Sequence, residues 1–120
     1  MTTERSSTEI LQDVLEIPGV NGVVIVGRDG FIIESVGASE KADIDTVGAS
    51  IALILNGIEN MEEELKLQSF NSLTLEAKGS MVMCAPVGDA LLTIMAPDSK
   101  TLGMIRLRTS KLIPELAQLF

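Results

Sequence analysis

The chain has 120 residues and a formal net charge of −8, and its hydrophobic share of 46% rises to about 54% once the 10 glycines are included, above the roughly 45–50% usual for a soluble domain. One domain, 1–120, is the expected organisation. An acidic balance with pI near 4.4 excludes nucleic acid and anionic membrane surfaces as partners, because both require a basic footprint.

The first 20 residues are acidic and carry no apolar run, and no apolar stretch is long enough to span a bilayer, so a cytoplasmic protein without membrane insertion is expected. With no histidine and a single cysteine, an internal disulfide, a zinc site and Cys-His catalysis are excluded. No cofactor, metal or catalytic residue is expected. The apolar excess points instead to a buried subunit interface.

Ser6 with Glu9 has the form of a capping box, and Ile10, Leu11, Val14, Leu15 and Ile17 follow at helical spacing, so a first helix is predicted over Ser7 to Glu16. Pro18-Gly19 ends it. Val20 to Val26 reads as a strand buried on both faces, Gly27-Arg28-Asp29-Gly30 as a two-residue hairpin turn, and Phe31 to Val36 as the returning strand. Gly37 to Lys41 is a short polar connection.

A long helix follows, from Ala42 to Leu67 with Asp43 as its cap. Ile44, Val47, Ile51, Ile54, Ile58, Met61 and Leu65 recur at alternating spacings of 3 and 4 and form one apolar stripe. Gly48, Ala52 and Leu55 widen it on one flank, and Ser50 and Gly57 lie beside Ile54 and Met61 on the other. The opposite arc is polar, but Ala49 and Leu53 sit in its middle. Either Leu53 is a stray surface leucine, or the helix has one face on its own sheet and another on a partner.

Three further strands are predicted, Ser69 to Ala77, Met81 to Ala85 and Ala90 to Ala96, with turns at Lys78-Gly79-Ser80 and Pro86-Val87-Gly88-Asp89. Leu73, Leu75 and Ala77 alternate with Thr74 and Glu76, so this strand has one face inside and one toward water. The last two strands are apolar on both parities and should be covered on both faces by helices. Cys84 lies in one of them and reads as a buried, inert thiol. A last helix starts near Pro97-Asp98-Ser99, with Asp98 or Ser99 as cap and a kink or break near Leu112 because Pro114 removes a hydrogen bond. The fold class is therefore α+β, in the order α-β-β-α-β-β-β-α, with a five-stranded antiparallel sheet and helices on both faces.

Two charged groups admit a second reading. Glu62-Glu63-Glu64 is a solvated run rather than a metal site, since neighbouring helix positions point apart. Lys100, Arg106, Arg108 and Lys111 form either a solvated basic face or a source of an arginine supplied in trans to a nucleotide-hydrolysing partner.

The order of elements, with Ile17-Pro18-Gly19-Val20-Asn21-Gly22-Val23-Val24-Ile25-Val26 and then Arg28-Asp29-Gly30-Phe31, resembles the roadblock family of dynein light chains and bacterial gliding-type GTPase regulators. That resemblance spans essentially the whole chain and implies a profilin-like sandwich, with the long helix on one face and the terminal helices on the other. It also implies homodimers in which third strands meet edge to edge and long helices lie side by side, through Ser50, Ile54, Gly57, Met61, Leu73 and Leu75. In the regulator branch the paired helices form a platform for a Ras-like small GTPase, here Thr46, Ala49, Leu53, Asn56 and Asn60. The chain has no appreciable tails beside the longer gliding-type regulators, so an adaptor or scaffold without effect on GTP hydrolysis is the rival function.

Overall fold

In the computed structural model, which describes residues 5–37 and 43–120, the first helix carries the cap read from the sequence. Ser6 Oγ accepts the Glu9 N–H at 3.2 Å and α1 runs Ser7–Leu15, one residue shorter than predicted. β1 (Gly22–Gly27) follows, and Val23 to Val26 are fully buried as their apolar run requires. The turn into β2 (Ile32–Val36) is longer than predicted: the Gly27 N–H donates to the Phe31 carbonyl at 2.8 Å, leaving Arg28, Asp29 and Gly30 as a three-residue loop. Gly30 at φ +88° supplies the left-handed residue such a loop needs.

Asp43 caps α2 (Ile44–Leu65), its two carboxylate oxygens accepting the Thr46 N–H at 3.2 Å and the Thr46 hydroxyl at 2.7 Å. The predicted connection beyond Gly37 and the helix start at Ala42 fall in 38–42, outside the described residues. At the other end the helix stops at Leu65, two residues early. Lys66 adopts φ +56°, and the Leu67 N–H reaches back to the Glu62 carbonyl at 2.8 Å, the pairing that closes a helix through a left-handed residue.

β3 (Leu73–Ala77) is shorter than the predicted Ser69 to Ala77. The cause is local: the Phe70 N–H donates to Glu62 Oε2 at 2.7 Å and the ring packs half-buried below α2, which ties this stretch to the helix before the sheet begins. Glu62 is therefore a structural acceptor, not a member of a purely solvated run. β4 (Ser80–Val87) is longer than predicted and runs through Pro86. Leu73 pairs with Cys84, so β3 has ended before Pro86, and the missing N–H faces no strand there.

β5 (Ala90–Ala96) agrees with its prediction, while α3 (Leu102–Ala117) starts later than Pro97-Asp98-Ser99 suggested. Asp98 closes a small turn onto the Lys100 N–H at 2.9 Å instead of capping the helix, and the N-cap is Thr101. Pro114 does not break α3. It is exposed, so the Ser110 carbonyl it leaves unbonded can take water, while Leu116 beyond it is fully buried.

The five strands are antiparallel in the order β2-β1-β5-β4-β3. Strand parity divides the core. Val23, Ile25, Met81, Met83, Leu92 and Ile94 meet α1 and α3 on one face, with Ile10, Leu11, Ile105 and Leu116. Val24, Val26, Cys84 and Leu91 meet Ile51 and Leu55 of α2 on the other. Helices thus cover both faces as predicted, but unequally: two on one side and one on the other.

Candidate docking surface along the long helix

Where α2 sits is decided by two glycines. A Cβ on Gly48 would stand 2.4 Å from the Gly30 carbonyl oxygen and one on Gly30 would stand 3.2 Å from Ala49 Cα, so the β1–β2 loop lies directly on the helix backbone. An exposed ion pair between Arg28 and Glu59 joins the same two elements. Held in this way, α2 rests on β1 and β2 and leaves the β4–β3 half of its sheet face open.

Along that open half runs an apolar groove of about 210 Å³, walled by Val47, Ser50, Ile51 and Ile54 on the helix and floored by Leu73, Leu75, Val82 and Cys84 on the sheet. It continues as a second hollow of about 380 Å³ beside Ile58, Met61, Leu67 and Phe70. The seven-residue stripe is therefore only part-covered. Of its seven residues only Ile51 is buried, together with Gly48 and Leu55 on the flank, whereas Ile54 is 44% and Met61 56% exposed.

The interface residues expected from the resemblance line this one side. Ser50, Ile54, Gly57 and Met61 are exposed, Leu73 is half-buried, and Leu75, on an edge strand, is 61% exposed. A Cβ on Gly57 would meet nothing within 4 Å, so within the protomer there is room for another backbone to approach. Ala49, Leu53, Asn56 and Asn60 are also exposed, on the arc turned away from the sheet, with Leu53 at 72%, whereas Thr46, exposed as well, lines the groove instead. The four cations near α3 lie in the opposite helix layer, so the sheet separates them from this arc.

Sequence reasoning missed Val82, Cys84, Phe70 and Leu67 as groove residues. No periodicity could have found them, since Val82 and Cys84 come to the groove through strand pairing, Phe70 through its hydrogen bond to Glu62, and Leu67 through the left-handed end of α2. Burial pushes the Cys84 thiol up from its usual range, while a 3.6 Å contact with Thr93 Oγ1 pulls weakly the other way. The thiol is therefore protonated at neutral pH. Among the described residues no group of three or more histidine, cysteine or carboxylate side chains is arranged to hold a metal, and no helix is long and apolar enough to cross a membrane.

The architecture that carries this surface is a five-stranded antiparallel sheet with a long helix on one face and a helix pair on the other. The chain belongs to the Roadblock/LC7 domain family, whose model matches residues 7–96. Its fold is similar to that of Myxococcus xanthus MglB, with a TM-score of 0.86 at 20% identity over 97% of this chain and 98% of that one. The gliding protein MglB of Thermus thermophilus is similar too, with a TM-score of 0.82 at 19% identity over 92% and 85% of the two chains. An uncharacterized protein of Methanocaldococcus jannaschii is 22% identical over 117 residues, 98% of each chain. At these identities the two structural likenesses establish the fold.

Proposed function

We propose that the protein is a homodimeric, non-enzymatic platform that binds and regulates a Ras-like small GTPase. The observation that carries the reading is the apolar groove between α2 and the β3 edge, which leaves Ile54, Met61 and Leu75 largely exposed in one protomer. An unpaired edge strand beside an apolar groove is a pairing template, and a two-fold copy of the same surface covers both at once. Ser50 and Gly57 then let the two long helices come close.

Two-fold pairing also doubles the outward arc of Ala49, Leu53, Asn56 and Asn60, with Thr46 at its border with the groove. Leucine among small and uncharged groups has little desolvation cost on docking, which suits a partner surface with an apolar centre. The Roadblock/LC7 membership and the MglB-like fold support a regulator or adaptor role. The deciding experiment measures binding to a panel of GTP-loaded Ras-like GTPases and then hydrolysis rates with and without this protein. Binding with faster hydrolysis supports regulation, binding without it leaves an adaptor, and no binding to any Ras-like GTPase removes the platform assignment.

A further inference from the structure

We propose that Arg106 of each protomer forms an ion pair with the partner's Glu76 across the β3 edge, so that the pair occurs twice about the two-fold axis. This rests on the homodimer reading above. Arg106 leaves α3 toward the sheet edge, where its guanidinium donates to Thr74 Oγ1 at 3.1 Å. Among the described residues no carboxylate lies within ion-pair distance of it, although the chain carries 17 acidic residues. Glu76 is exposed on the same face of the same strand as Thr74, two residues on.

Strand geometry shows why a second copy brings the two together. Lys78-Gly79 is a two-residue turn with Ala77 opposite Ser80, so Ala77, Leu75 and Leu73 bond to β4, and the backbone groups of Thr74 and Glu76 point to the open edge. An antiparallel copy must pair through those groups. A two-fold axis at Glu76 would set like charges face to face, which is unfavourable. An axis at Leu75 places the partner's Glu76 opposite Thr74, the residue that Arg106 already touches, and meets Leu75 with its own copy on the groove face. Charge on one sheet face and apolar packing on the other then select the same register.

The test exchanges the charges. Arg106→Glu alone and Glu76→Arg alone each create two like-charge contacts in a homodimer, and each should weaken dimerisation by roughly ten- to a hundredfold, as two exposed pairs lost and opposed would. An equimolar mixture of the two variants restores both pairs and should form a heterodimer with near wild-type affinity. Both positions are exposed, and circular dichroism of each variant checks that the fold is retained. If the wild type dimerises but the single variants do so equally well, or if the mixture does not recover, the ion pair is overturned and the dimer stands. If the wild type is a monomer at micromolar concentration, both fall together.

Discussion

Leu75→Asp is the substitution that bears most directly on the proposed homodimer. Leu75 is 61% exposed on β3, opposite Val82, with its side chain on the groove face. Fully burying a leucine contributes about 1.5–3 kcal/mol, so covering the exposed part contributes about 1–2 kcal/mol. Two-fold symmetry counts it twice, giving about 2–4 kcal/mol, or between one and a half and three decades in the dimer dissociation constant. Within the protomer the position faces water, so the fold should be retained. Light scattering should report about twice 12.8 kDa for the wild type and 12.8 kDa for Leu75→Asp at the same micromolar concentration. Cys84 offers a second readout, because it lies on the groove floor and is the chain's one cysteine: its alkylation at neutral pH should be slow in the wild type and faster in the variant. An unchanged dimer constant together with unchanged Cys84 reactivity would refute the assignment of the groove to a second copy.

Under the proposed function, Leu53→Glu should abolish binding to a Ras-like GTPase while leaving fold and dimer mass intact, since Leu53 faces away from both sheet and groove; affinity and mass measured on that variant check it, and monomers would move Leu53 into the dimer contact. Gly48→Val puts a Cβ 2.4 Å from the Gly30 carbonyl, so the helix or the β1–β2 loop must shift, at a cost of about 1–3 kcal/mol read as a thermal midpoint lower by roughly 5–15 °C. Gly57→Leu meets nothing within 4 Å in the protomer and replaces a poor helix former inside α2, so it should raise the midpoint of the isolated chain by a few degrees while weakening the dimer, as sedimentation would show. The Thr46 hydroxyl and N–H hold Asp43 below the usual carboxylate range. Its folded value lies under its unfolded one, so its stabilisation is present above the unfolded value and lost as pH falls through the folded one. Acid unfolding of Asp43→Ala should show a smaller loss in that window than the wild type.

The order of elements was legible because each rests on local chemistry. Apolar residues at spacings of 3 and 4 make α2, uninterrupted β-branched residues make β1, and Ser6 and Asp43 meet the N–H groups a few residues on without help from the rest of the chain. Boundaries set by distant partners were not legible. Phe70 leaves the sheet because Glu62 holds its N–H, and Pro86 is tolerated in β4 because β3 has already ended. The candidate surface divides along the same line. Sequence alone determined that α2 has more apolar surface than one side of a small sheet can bury, and that Leu53 faces away from the stripe. Only the tertiary structure decided which part of the stripe stays open. Gly30 resting on Gly48 holds the helix over β1 and β2, and the groove beside β3 is what that placement leaves uncovered.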